Sequence, residues 1–487
     1  MLPIRRKLYL FPLAIAAPLG LVGCGSNSGS SASSQPSLGC SAPVPAASSA
    51  AAPVQVFALG TKKVGTTATF GVPAGTASIT IIEQLVAAPP TATFMDQGTL
   101  PNDAVPLTIT DANGSVVLDQ FKNPADPTQG ALFFASTSPG TGTITLPNTT
   151  AGLNTVSAGL PAGTWSFVVS DLAYLCTLAS NCSSGGGNAE STYDLKVLVK
   201  PGTGATNIPA TGTVDLTFNL TSGGISPALS AATAGTDTDV QRMVSSVRTL
   251  LGQAGLQLGV VNYVDVPSAS AAKVASGVQV DDETACGELS QLLATAPAGR
   301  QVNIFIVSNF VSKNLAPGTL VAGIDGTIPG PATISPTLQS GAAVSAANLR
   351  AGRSNCGAGL SLNCGSATSA PTCCGADLVA YTVAHEMGHY LGLYHVTEGE
   401  GTSFDPLQDT PTCVCQSCAS DPTKCADAVP APATPHTVSV SECSPGTAKT
   451  PSCGGGDNLM FWLLSGASVG ALTAEQGRVI RANPTVY

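Results

Sequence analysis

The stretch from Asp377 to His395 reads DLVAYTVAHEMGHYLGLYH, and the rest of the chain is best understood outward from it. Leu378, Val379, Val383 and Met387 follow Asp377 at helical spacing. Asp is a residue type that caps helix N-termini, and Gly392 offers the positive φ at which helices commonly stop. On such a helix His385 and His389 stand at i and i+4 on one face, so both imidazoles reach a single metal ion. Glu386 projects beside that ion, placed to take a proton from a water molecule and later deliver it to a leaving amine. After the Gly392 turn, His395 comes back as a third ligand and leaves a fourth position for water. The chain has only 4 histidines, and three of them complete the spacing H-E-x-x-H-x-x-G-x-x-H, which makes coincidence a poor explanation. The fourth, His436, lies in a Pro/Ala-rich loop and reads as a surface residue.

Two further segments extend the pattern. Asp405-Pro406-Leu407-Gln408-Asp409-Thr410-Pro411 follows the third histidine, and Asn458-Leu459-Met460 comes later. Together with Gly392-Leu393-Tyr394-His395 they resemble the metzincin clan of zinc endopeptidases and, within it, the pappalysin family. The resemblance implies an α/β zincin domain with a twisted mixed sheet and an active-site helix. It implies Zn²⁺ on His385, His389 and His395, Glu386 as general base and acid, and Met460 as an apolar floor under the site. It also implies hydrolysis of internal bonds in a protein or peptide substrate. Asp405 and Asp409 are candidates for a structural Ca²⁺, since hard carboxylate oxygens suit that ion; an Asp in a Thr-Pro turn is equally at home as a local backbone cap. The chain departs from the pattern at Trp462, where many metzincins of this type have a Tyr whose hydroxyl aids the tetrahedral intermediate. An indole has one N–H and cannot replace a phenol, so the alternative is a zincin-fold surface lipoprotein of weakened activity that acts as a binding module. Leu463-Leu464-Ser465 stands where relatives that prefer basic side chains have an acid, so that preference is not carried over.

Before this region the pattern is different. From 54 to 200 short β segments alternate with Gly, Pro, Asn and Asp turns, including Ala77 to Ile82, Val105 to Thr110, Val116 to Leu118, Thr143 to Leu146, Thr164 to Ser170 and Tyr193 to Val199. With no helical stretch between them, these predict an antiparallel β-sandwich, read as an accessory domain with no cluster of acids marking a ligand site. Residues 201–212 form a Pro/Gly/Thr linker. From 213 to 487 strands alternate with helices: a strand at Val214 to Leu220, a helix at Asp237 to Leu251, a strand at Leu256 to Val264, a helix at Glu283 to Ala294 and a strand at Val302 to Val311. The fold class is therefore multidomain, an all-β sandwich followed by the α/β catalytic domain.

The N-terminus reads as an export signal. Arg5, Arg6 and Lys7 precede an apolar stretch from Leu8 to Val22, shorter than the roughly 20 residues a membrane-spanning helix needs. Leu21-Val22-Gly23-Cys24 resembles the lipobox of bacterial lipoproteins, which implies cleavage after residue 23, a lipid on Cys24 and attachment to the cell envelope on its periplasmic or outer face. Residues 24–53, rich in Gly, Ser, Ala and Pro, form a flexible tether. The net charge of −10 and the absence of a basic stripe exclude an extended nucleic-acid surface. The chain has 15 cysteines, an odd count that a lipidated Cys24 makes even. In an exported chain Cys413, Cys415, Cys418 and Cys425 read as disulfide partners and not as a thiolate metal site. Cys176 and Cys182 are natural partners by proximity. Cys40, in the tether, either bonds to the catalytic domain or remains a thiol able to ligate the zinc in a latent form.

Overall fold

The computed structural model describes residues 54–87, 103–104, 106–119, 138–156, 159–171, 174, 191–203, 207–221, 225, 227–280, 287–312, 319–362, 373–430, 432, 435–444, 453–464 and 470–487, together with a three-residue strand at Ala14–Ala16. Cys24, Cys40, Cys176 and Cys182 lie outside the described residues, as does the tether.

Alternation of apolar and polar side chains builds the first half. Its strands are β1 (Gln55–Lys63), β2 (Thr67–Val72), β3 (Thr76–Ala87), β4 (Thr108–Thr110), β5 (Val116–Asp119), β6 (Thr141–Leu146), β7 (Gly163–Val168) and β8 (Thr192–Pro201). They form two four-stranded antiparallel sheets, ordered β2-β7-β4-β5 and β1-β8-β3-β6. Ala68, Phe70 and Val72 of β2 point inward on alternate positions and meet Trp165 and Phe167 of β7, with ring centroids 6.4 and 6.1 Å from Phe70. One expectation fails here. A short helix, α1 (Thr150–Thr155), interrupts the strands, because the Thr149 hydroxyl accepts the Gly152 N–H (3.0 Å) and starts a turn that β-rich composition conceals.

The second half begins with β9 (Gly212–Leu220), α2 (Thr238–Gly252), β10 (Leu256–Asp265), α3 (Glu288–Leu293) and β11 (Val302–Val307). There follow β12 (Thr319–Val321), β13 (Gly323–Asp325), β14 (Ala342–Ser345), α4 (Gly375–Tyr390), β15 (Leu463–Leu464) and α5 (Ala474–Ala482). A five-stranded mixed sheet has the order β10-β9-β11-β14-β13, parallel except for the antiparallel edge strand β13. Asp237 caps α2, accepting the N–H groups of Asp239 and Val240 (both 3.1 Å), a contribution of about 1 kcal/mol. Val240, Met243, Val244, Val247, Leu250 and Leu251 are buried along its inner face.

Helix α4 is buried along its whole length and packs on α2. Asp377 does not cap it, contrary to expectation. The helix begins earlier, with Cys374 at the cap position, and Asp377 is instead held by Arg242 of α2 through two 2.7 Å bonds and by the Ser246 hydroxyl at 2.6 Å. Burial pushes its carboxyl up, but those partners and the Ser361 N–H together hold it below the usual carboxylate range.

The two halves share one hydrophobic cluster. The outer face of the β1-β8-β3-β6 sheet is covered by the C-terminal segment. Ser78 donates to Ala482 O, and the buried Lys200 ammonium donates to the carbonyls of Arg481 (2.6 Å), Asn483 (3.0 Å) and Val486 (2.7 Å). Ile82 and Leu198 pack with Ile334. Thr150 of α1 bonds to Glu475 at the start of α5, and Arg478 donates to Leu153 O. Among the described residues no helix is long and apolar enough to cross a membrane.

Candidate metal centre

Helix α4 places His385 and His389 one turn apart, and Gly392, at φ +111°, turns the chain so that His395 returns to them. The three Nε2 atoms lie 3.0 to 3.1 Å from one another. Each ring's other nitrogen has its own partner. His385 Nδ1 donates to Leu459 O (2.7 Å), His389 Nδ1 to Leu393 O (2.8 Å) and His395 Nδ1 to a Glu398 carboxylate oxygen (3.1 Å). That arrangement fixes the proton on Nδ1 and leaves three Nε2 lone pairs aimed at one point. Burial holds all three rings below the ordinary histidine range: His385, also repelled by His395, and His395 are brought down to about 3, and His389 is lowered strongly as well. Neutral rings converging in this way form a buried group able to hold a metal ion.

Glu386 is fully buried, and neither carboxylate oxygen has a protein partner. Burial, reinforced by Asp325 of the edge strand β13, raises its pKa well above the usual range. The edge strand lies directly against it, since a Cβ on Gly323 would strike the Glu386 carboxylate. On the far side, Met460 presses its sulfur on Gly388, between the two helical histidines. Its turn is secured by Asn458, which accepts the Met460 N–H (2.8 Å) and exchanges hydrogen bonds with Gln476 of α5 (2.9 and 3.2 Å). The Tyr381 hydroxyl also donates to Asn458 O (3.0 Å).

Ala14–Ala16, part of the segment read above as an export signal, lies between β12 and β15, antiparallel to the first and parallel to the second, with Ala14 opposite Val321 and Leu463, so these two strands flank a slot one extended segment wide. Strands β12 and β13 are separated only by Ala322, so the slot is continuous with the edge that contacts Glu386.

Trp462 takes no part in the centre. Its indole N–H donates to Val438 O (2.9 Å), and the ring packs on Gly399, so its single donor is already committed. Asp405 binds within its own turn, whereas Asp409 reaches across to the start of α5. Asp405 accepts from the Leu407 N–H (3.3 Å) and the Thr410 hydroxyl (2.5 Å), while Asp409 accepts from the Thr473 hydroxyl (2.8 Å) and the Glu475 N–H (2.9 Å). The second oxygen of Asp405 is buried without a partner. His436 is not isolated on the surface as expected, but sits against the Glu442 carboxylate (3.1 Å).

The cysteines beside the site are disulfides: Cys356–Cys374, Cys413–Cys443, Cys415–Cys425 and Cys418–Cys453. The first ties down the start of α4, and the others hold the segment between His395 and the Met460 turn, where regular structure is sparse. Glu398 and Asp325 escaped the sequence reading. Glu398, an acid three residues beyond the third histidine, carried a local signal; Asp325 stands 61 residues before Glu386 in the sequence and carried none.

No protein-family model and no curated protein matches this chain. The solved structure of a family two carbohydrate esterase from Cellvibrio japonicus matches with a TM-score of 0.12 and 12% identity, covering 54% of this chain and 81% of that one, a likeness too slight to bear on fold or function.

Proposed function

We propose that this chain is a zinc endopeptidase of the metzincin type, pappalysin-like, exported and lipid-anchored through Cys24, that hydrolyses internal peptide bonds. The observation that carries the reading is the conjunction of three convergent Nε2 atoms with a buried Glu386 whose two oxygens face no protein partner. Three nitrogens at the roughly 2.0–2.1 Å typical of zinc stand about 3.3 Å apart in a tetrahedron, close to the spacing here. When bound, zinc would supply Lewis-acid polarisation of a carbonyl and make water more acidic. Glu386 does the proton work, accepting a proton from the attacking water and delivering it to the departing amine. The slot between β12 and β15 supports a polypeptide substrate, because main-chain pairing along both edges recognises an extended peptide whatever its side chains.

The binding-module reading draws on one observation, the engagement of the Trp462 N–H by Val438. A purified protein incubated with a peptide library separates the two readings. Cleavage within peptides that vanishes in Glu386→Ala, with metal content unchanged, is expected; full metal content without Glu386-dependent cleavage supports a binding module instead.

A further inference from the structure

Among the described residues, two side chains have a carboxylate with both oxygens buried and neither in hydrogen-bond reach of the protein: Glu386 and Glu83. Glu386 faces the candidate metal centre. Glu83 lies in the other half of the chain, on β3, where it occupies an inward position between Ile81 and Leu85 and is 0% exposed. Directly opposite it are Leu195 of β8 and Gly142 of β6. At Gly142 there is no space for a side chain, since a Cβ would collide with the Ala104 carbonyl oxygen. Ala104 is in turn bridged to Asp171, a second fully buried acid. Glu83, the Ala104 carbonyl and Asp171 are thus gathered where the two sheets of the sandwich meet, although 54–200 shows no acidic cluster in sequence. Asp171 accepts the Tyr174 N–H (2.8 Å) and the Tyr193 hydroxyl (3.2 Å), while Glu83 accepts nothing.

Such a pair is unstable as it stands. An ionised carboxylate in an apolar interior costs several kcal/mol unless it is paired, and the charge that bears on Glu83 is that of Asp171, of the same sign. No donor of the protein reaches either Glu83 oxygen, so nothing in the fold offsets the charge of the two acids together. A cation between the acids offsets it. We propose that Glu83 and Asp171 hold a calcium ion inside the sandwich, beside the Ala104 carbonyl. The donors are all hard oxygens with no imidazole or thiolate among them, which selects Ca²⁺ over zinc. The ion ties β3 of one sheet to the end of β7 in the other and to the short strand at Ala104, so it acts as a structural rivet. The site is independent of the peptidase reading.

Terbium, which takes calcium sites and emits when a nearby aromatic ring is excited, tests this in the full chain, because the Tyr193 hydroxyl bonds directly to Asp171. Sensitised emission that excess Ca²⁺ displaces is expected in the wild type and in Asp405→Asn, with affinity falling by about tenfold or more in Glu83→Gln. In parallel, Ca²⁺ should raise the melting temperature of the wild type but not of Glu83→Gln, and Asp171→Asn serves should that variant not fold. Equal calcium-displaceable emission in wild type and Glu83→Gln overturns the proposal, as does a wild type whose melting ignores Ca²⁺. A Glu83→Gln protein that melts above the wild type with and without Ca²⁺ also overturns it, and marks Glu83 as a buried neutral acid.

Discussion

At His395 the orienting group is a carboxylate, whereas His385 and His389 each rest on a backbone carbonyl. Glu398→Gln keeps the shape and removes the charge, so metal affinity should fall by about 10–100-fold in competition with a chromogenic chelator. An unchanged affinity would mean that the Glu398 contact does not tune the ligand. A second carboxyl makes a prediction about pH. Burial, with Asp409 and Glu475 nearby, raises Asp405 to about 8. An unfolded Asp titrates near about 3.9, so between these values the folded chain holds a proton that the unfolded chain has lost, and stability falls as pH rises through the window. Urea unfolding of Asp405→Asn should show a flatter dependence between about pH 4 and 8; a slope identical to the wild type removes Asp405 as its source. Residue identity was the most legible level of this sequence. The histidine motif could be read because its members are near neighbours in the chain. The commitment of Trp462 to Val438 could not, because the partner is a backbone carbonyl in a distant loop.

Helix α4 shows where element-level reading succeeds and where it stops. Its end was legible, because a positive φ at Gly392 is a local demand on one residue. Its beginning was not. Asp377 has the right chemistry for a cap, but a partner 135 residues away in α2 claims its carboxylate. Arg242→Ala should therefore strand a buried charge and cost about 3–5 kcal/mol in denaturant unfolding, while Asp377→Asn with Arg242→Met should recover part of that loss. If the single variant costs no more than a surface substitution, α4 is not anchored through this pair. The apolar face of α2 was legible, since it is set by residues within a few turns.

On the scale of the whole molecule, the sandwich and the second half are joined more closely than the sequence suggests. Ser78, Thr80, Thr143 and Thr145 alternate with Ala77, Ile79, Ile81 and Ile144, the pattern of strands with one wet face, yet all of them are buried. Alternation reports that a face is polar; it does not report that the C-terminal segment covers it and offers carbonyls to Ser78 and Lys200, while Thr80 and Thr145 bond each other. Lys200 is the clearest case, a buried amine satisfied by three C-terminal carbonyls and brought down to about 7 by burial and the Arg481 charge. Calorimetry of the wild type should give one transition for both halves, and Lys200→Met should lower it with a loss of about 3 kcal/mol. Two separate transitions in the wild type would contradict a shared core. The central claim, that the histidine centre is a peptidase site, is tested most directly on one preparation assayed for bound zinc and for new peptide N-termini by mass spectrometry, before and after chelation and zinc return. The account predicts about one zinc per chain at the three histidines. It also predicts internal cleavages that disappear with the metal, return with it and fall by at least about 100-fold in Glu386→Ala. Zinc bound at full stoichiometry, with cleavage absent or indifferent to Glu386, would contradict it.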